Sequence, residues 1–203
     1  MDVRERLLQA ALAVFQQEGV RGATTRRIAQ EAGVNEITLF RHFGSKGALI
    51  HEALRAAASR VEVARLPEDP LDPRAELLEW CRTHYANLLR SRAMIRTAMG
   101  EFERQPEVGT CAAHGPAQFA RELAGYLRTL RERGMADADL DEAVATTMLM
   151  GGLFSDAMGR DVMPERYTYP AEETPDRLVA LFLRAIGARA AGGAEDGGEG
   201  SGH

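Results

Sequence analysis

Lysine is all but missing from this 203-residue chain: among 25 basic residues Lys46 stands alone and the others are arginine. Cysteine is nearly as scarce, with only Cys81 and Cys111, too few for a disulfide framework; such isolated cysteines usually act as small apolar side chains. No apolar run approaches the roughly 20 residues of a membrane span, and the N-terminus lacks the basic-then-apolar pattern of a secretory signal. The expected location is therefore the cytoplasm. No period-two alternation persists, so the expected fold class is all-α. The sequence also lacks a glycine-rich phosphate loop and a nucleophile motif, and its carboxylates fall mostly on solvated helix faces. Cys111 and His114 could pair as nucleophile and base only at a spacing that is common by chance. Neither an enzyme nor a cofactor is expected.

The charge is uneven. The net value is -5, yet residues 1–55 hold eight Arg or Lys against six Asp or Glu, about +2, which leaves about -7 for the remainder. An acidic protein does not coat nucleic acid generally, so any such binding belongs to the N-terminal part. There the stretch 24–46, T-T-R-R-I-A-Q-E-A-G-V-N-E-I-T-L-F-R-H-F-G-S-K, reads as two short helices joined at Gly33. Thr24 suits an N-cap and Ile28, Ala29 and Ala32 follow at helical spacing. Gly33 stops that helix by adopting positive φ at no steric cost, and a second helix starts near Asn35. Val34, Leu39 and Phe43 form its buried set. Asn35, Glu36, Ile37, Thr38, Arg41 and His42 are left outward, a mixed face suited to base edges, whereas charge alone binds phosphates without discrimination. Lys46, after Gly44 and Ser45, suits a point charge reaching a phosphate.

Helical spacing predicts a first helix over 3–17, ended by Gly19 and Gly22, whose apolar stripe must pack on the pair that follows. A fourth helix is expected over 46–63, then a break at 66–73 where Pro67, Pro70 and Pro73 cluster. Beyond it the pattern predicts helices over 74–90, 93–103, 115–133, 143–158, capped by Asp139 or Asp141, and 176–189. The last two are too apolar for one face, which implies a subunit contact on the other. Residues 190–203, rich in Gly, Ala and Glu, are expected to form a disordered tail.

The segment 26–49, R-R-I-A-Q-E-A-G-V-N-E-I-T-L-F-R-H-F-G-S-K-G-A-L, resembles the signature of the tetracycline-repressor (TetR) family of bacterial transcriptional regulators. The match is specific over the first 50 or so residues and architectural after that. The resemblance implies a three-helix DNA-binding domain at 1–47 and a helical effector-binding and dimerisation domain at 48–189. It puts Thr25 and Arg26 against phosphate or a groove edge, Glu36, Ile37, Thr38 and Arg41 against bases, and Phe40, His42 and Lys46 against the phosphate backbone. The family commonly has tyrosine where this chain has Phe40, so one phosphate hydrogen bond is lost, a net effect of about 1 kcal/mol. Ile37 could meet a thymine methyl or pack on the neighbouring helix, and Glu36 could accept from cytosine or favour the positive end of its helix. The implied mechanism is a repressor homodimer, paired through the last two helices, that leaves double-stranded operator DNA when a small effector binds, with the fourth helix as transmitter. Trp80, Tyr85, Met94, Met99, Phe102, Phe119, Met148 and Phe154 are the candidate lining for an apolar or aromatic effector, or else ordinary core. An alternative is a metal-responsive regulator, since Cys81-x-x-His84 and Cys111-x-x-His114 together would supply a Cys2His2 set.

Overall fold

The computed structural model describes residues 1–58, 64–101 and 106–188; within these, the side chains at 20–21, 58, 101 and 106–115 are outside the description. Phe102, the side chains of Cys111 and His114, and the expected tail thus lie outside the described residues. Among them are eight α-helices and no strand: α1 (Val3–Gly22), α2 (Thr25–Glu31), α3 (Glu36–Phe43), α4 (Lys46–Ala58), α5 (Pro73–Glu101), α6 (Pro106–Glu132), α7 (Glu142–Gly159) and α8 (Thr174–Ala185). Two short 3-10 turns lie between α7 and α8. The all-α expectation holds.

Local chemistry sets the helix ends. The side chains of Asp2, Thr24, Asn35 and Asp141 accept from first-turn N–H groups of α1, α2, α3 and α7. Of the two expected caps for α7, Asp141 is the one used. Gly33, at φ 64°, ends α2: its N–H donates to the Gln30 carbonyl at 3.1 Å, and the Val34 N–H donates to Ala29 at 3.0 Å. These are the two bonds of a Schellman cap, which requires a left-handed residue where the chain turns.

Apart from α8, which runs from Thr174 to Ala185 rather than over 176–189, helix boundaries differ from the sequence-based expectation in three places. First, α1 continues to Gly22 across a kink at Gly19, where φ is 68°. Second, the helices expected over 74–90 and 93–103 are one, α5, because Ser91 and Arg92 carry nothing that breaks a helix. Third, α6 begins at Pro106, and Pro116 lies inside it rather than opening it. Proline is favoured at a first turn, which is what made 115–116 look like a start; in the structure it sits exposed on a helix already under way.

Two apolar cores result. The first joins Leu7, Ala11, Val14 and Phe15 of α1 to Ile28, Leu39, Phe43 and Leu49, Ile50, Ala53 and Leu54 of α4. The α4 residues beyond position 47 belong to this packing. The second gathers Leu77, Trp80, Cys81 and Tyr85 of α5 with Leu123, Leu127 and Leu130 of α6, Leu149 and Leu153 of α7 and Val179 and Phe182 of α8. Each fully buried Leu or Phe contributes roughly 1.5–3 kcal/mol relative to exposure. Helix α5 enters both, because Ala98 is part of the first core and Met94 packs against it.

Candidate nucleic-acid interface

The first core presents α3 outward. Leu39 and Phe43 are buried, which fixes the helix rotation and turns the positions between them to solvent. Ile37 is 74% exposed and Phe40 45%; Arg41 and His42 are exposed and Thr38 half-buried. Ile37 is therefore not packed against a neighbouring helix, and its branched side chain is free for a methyl contact. The Asn35 side-chain Oδ1 accepts from Ile37 N at 2.9 Å, so this residue caps α3, and its amide N–H groups can still donate.

Glu36 has a partner that sequence alone did not reveal. Thr25 Oγ1 donates to Glu36 Oε1 at 2.5 Å, tying the first turn of α2 to the first turn of α3. Both residues are half-buried, so two side chains expected at the DNA are joined to each other in the single chain. Arg26 beside them is exposed, while Arg27 bonds Glu18 of α1 at 3.1 Å and Glu31 at 2.8 Å. Those two carboxylates hold the Arg27 guanidinium more firmly protonated than usual, first through the bond to Glu31 and then through that to Glu18. Thr24 accepts from Arg27 N at 3.1 Å, so its hydroxyl is a cap.

On the far side, Ser45 Oγ accepts from Ala48 N at 3.1 Å and opens α4, with Lys46 half-buried in its first turn. Arg4 of α1 pairs with Glu52 of α4, and its guanidinium carbon lies 5.4 Å from the centroid of the Phe43 ring. One side chain thus ties α1, α3 and α4 together. No signal within a single helix could have shown this contact, since Arg4 and Glu52 are 48 residues apart.

A family model for bacterial regulatory proteins of the tetR family matches residues 7–53. The model of the AefR-like transcriptional repressor C-terminal domain matches residues 75–188, more than half of the chain. The chain belongs to the TetR family. It is a transcriptional regulator and not an enzyme. Among its relatives, the regulator YvkB of Bacillus subtilis is 28% identical over 185 residues, covering 91% of this chain and 97% of that protein. UidR of Escherichia coli is 24% identical over 169 residues, covering 80% and 85%. A TetR-family regulator from Mesorhizobium loti superposes with a TM-score of 0.72 at 24% identity, covering 90% of this chain and 96% of that one. FadR of Bacillus subtilis, solved with stearoyl-CoA, gives 0.66 at 17% identity, covering 90% and 98%. At such identities the solved structures show the shared fold alone.

In this TetR-family chain the candidate effector residues do not form one group. Trp80 and Tyr85 are buried on α5, and Phe119 of α6 is half-buried. His84 lies between Trp80 and Phe119, its ring centroid 4.1 Å from each. Phe154 is half-buried on α7, whereas Met94 packs on the first core and Met99 and Met148 are exposed. Burial pushes the Cys81 thiol up to about 12, so it stays protonated at neutral pH, where a metal would need the thiolate. Burial also lowers His84 to about 4, against the opposing bond to the Ala64 backbone. The described half of the Cys2His2 set is thus packed as core, and among the described residues no three His, Cys, Asp or Glu side chains are grouped to hold a metal. No described helix is long and apolar enough to cross a membrane.

The second core also holds a polar network that the sequence did not announce. The Asp156 carboxylate on α7 accepts from Tyr85 at 2.5 Å, Arg160 at 2.7 and 3.1 Å, Tyr169 at 3.2 Å and Thr174 at 3.2 Å. Burial alone would push Asp156 up, but its bonds to Arg160, Tyr85 and Thr174 outweigh that and hold it below the ordinary value. The network pins the end of α7 to the start of α8 and to the middle of α5.

Proposed function

We propose that this protein is an effector-responsive repressor that acts in the cytoplasm as a homodimer, binding double-stranded operator DNA through α3 and releasing it when a small apolar or aromatic molecule occupies the second core. The observation that carries this reading is the continuity of α5. At about 1.5 Å per residue its 29 residues form a rod of about 43 Å, with Trp80 in the second core and Ala98 in the first. A packed helix moves as a unit, so a ligand that shifts its upper half also shifts the packing beneath α1. Helix α4, which packs on α1, α3 and α6, gives a second route of the kind expected from the sequence.

The exposed faces support a division of labour at the DNA. Ile37, Thr38 and Arg41 meet bases, with Asn35 and Glu36 at the start of the same helix, while Arg26, Phe40, His42 and Lys46 meet the backbone and Thr24 and Thr25 set the angle of α2. Dimerisation through α7 and α8 is supported by Val144 and Met148, one turn apart on α7, and by Leu181 on α8, all exposed in the single chain. Such a dimer would place two α3 helices about 34–36 Å apart, in successive major grooves. An effector with an apolar part accords with the acyl chain of the stearoyl-CoA bound by FadR, which shares the fold.

Fluorescence anisotropy on palindromic DNA from beside the protein's own gene tests the scheme. Saturable, salt-sensitive binding that is lost in Met148→Glu along with the dimer is expected. Absence of such binding to any neighbouring site overturns it.

A further inference from the structure

Among the described residues, two side chains on one face of α5 each hold a buried polar atom without a partner. They are Trp80 Nε1 and His84 Nε2, on residues that are 1% and 6% exposed. The residues are one helical turn apart, and their ring centroids are 4.1 Å from each other. Phe119 covers the other side of the imidazole, also at 4.1 Å. Buried donors and acceptors are almost always paired in a folded protein, so two neighbouring exceptions call for a reason.

Their chemistry is complementary. An indole N–H only donates. Burial keeps His84 neutral, and its bond to the Ala64 backbone uses the other ring nitrogen, Nδ1, as the donor. With the single proton on Nδ1, Nε2 is a bare acceptor. One donor and one acceptor are therefore carried by adjoining rings, with Phe119 packed on the imidazole.

We propose that Trp80 Nε1 and His84 Nε2 form the polar end of the effector site, and that they select an uncharged group able both to accept and to donate, a hydroxyl or a carboxamide on an apolar or aromatic body. This deepens the effector reading above and rests on it. A hydroxyl accepts from Trp80 and donates to His84, and a carboxamide does the same with its C=O and N–H. A carboxylate accepts from Trp80 but meets the lone pair of His84, and it would have to charge an imidazole that burial keeps neutral. An alkylammonium donates to His84, leaves Trp80 unpaired, and carries its charge into the core. His84 also touches the linker into α5 through Ala64, and Glu122 of α6 holds the same linker by accepting from Leu66 N at 2.7 Å. Occupation of the site is thus felt by the segment between the two cores.

Trp80 is the only tryptophan in the chain, so its emission reports on this site directly. The full-length protein is titrated at pH 7 with 1-octanol, octanamide, octanoate and octylammonium, none of which absorbs where tryptophan does. Saturable changes in emission are expected for the alcohol and the amide, with dissociation constants at least tenfold below those of the two ions. His84→Phe, which keeps a ring between Trp80 and Phe119 but removes the acceptor, is expected to weaken the alcohol and the amide about tenfold. Equal binding of all four probes, no saturable change with either neutral probe, or unchanged affinities in a folded His84→Phe protein would each overturn the proposal, leaving a buried water as the only partner of the two atoms. The four-probe ranking needs no variant, so a misfolded His84→Phe does not remove the test. Anisotropy of labelled operator DNA in the same samples separates the two readings. Octanol bound at Trp80 without release of DNA keeps this site and removes effector-driven release; release of DNA without a change in Trp80 emission does the reverse.

Discussion

Replacing Asp156 by alanine is expected to destabilise the protein by about 3 kcal/mol. The side chain of Asp156 is 5% exposed and that of Arg160 14%, so solvent screens the pair little. Removing one partner of a buried ion pair costs about 3–5 kcal/mol, because the other charge is left without compensation. The lower end applies because Arg160 keeps two neighbours, the Tyr169 carbonyl at 2.6 Å and Thr174 Oγ1 at 2.8 Å. Tyr85→Phe removes one hydrogen bond to a charged acceptor, worth about 1.5 kcal/mol at the low end of its range, since Asp156 retains its other donors. In Asp156→Ala the Tyr85 hydroxyl has already lost its acceptor, so the cost of the double variant falls short of the sum by about 1 kcal/mol. Urea unfolding at pH 7 and fixed protein concentration measures all three values.

The same pair gives a pH signature. The folded-state value of Asp156 lies below the ordinary 3.8, so its contribution to stability is present in full above that value and is lost as pH falls through the folded one. The gap between wild type and Asp156→Ala should therefore stay constant from neutral pH down to about 5 and narrow below it. A cost under about 1 kcal/mol at pH 7, or simple additivity with Tyr85→Phe, would show that the network carries no such energy.

Gly33→Ala should cost about 1–2 kcal/mol, through backbone conformation alone, because an added Cβ would come no closer than 3.9 Å to Arg6 Nη1; Gly33→Asn, which tolerates positive φ, should cost less in thermal melts. Arg41→Ala should flatten the preference among related operator sites, while Lys46→Ala should weaken all sites alike and lower the salt slope by about one; equal loss of discrimination in both would refute this division. Thr25→Val should free Glu36 and alter preference at the base pair facing the start of α3, read by competition among operator variants. An unchanged ranking would place Glu36 away from the bases.

The helix-turn-helix was legible because its determinants are local. Thr24 caps, Gly33 turns, Asn35 caps again, and Leu39 with Phe43 set the rotation of α3, all within about twenty residues. What escaped the sequence lies across long separations. Thr25 and Glu36 meet over a turn whose angle no single helix specifies, and Arg4 reaches Glu52 only once α1 and α4 have packed. The Asp156 network unites α5, α7 and the segment before α8, and nothing in a lone Asp-x-x-x-Arg spacing marks it as buried. The sequence marks His84 only as a metal ligand because its spacing from Cys81 is local, while its contact with Phe119 is not.

The one error of architecture, two helices in place of α5, has a physical cause that also bears on function. A helix packed against a single core shows one apolar stripe at a constant angle. Along α5 the buried partner changes: Leu77, Trp80, Cys81 and Tyr85 face the second core, whereas Met94 and Ala98 meet the first. The stripe therefore shifts part-way along, and a shifted stripe looks like a new helix although neither glycine nor proline interrupts the chain between Pro73 and Gly100. A regulator has reason to be built this way. A loop near residue 91 would let each half relax separately, while an unbroken helix forces any displacement at Trp80 and His84 to be accommodated at Ala98. Two glycines placed at Ser91 and Arg92 should then leave operator affinity nearly intact but weaken its response to effector, and a full response in that variant would assign the coupling to α4 instead.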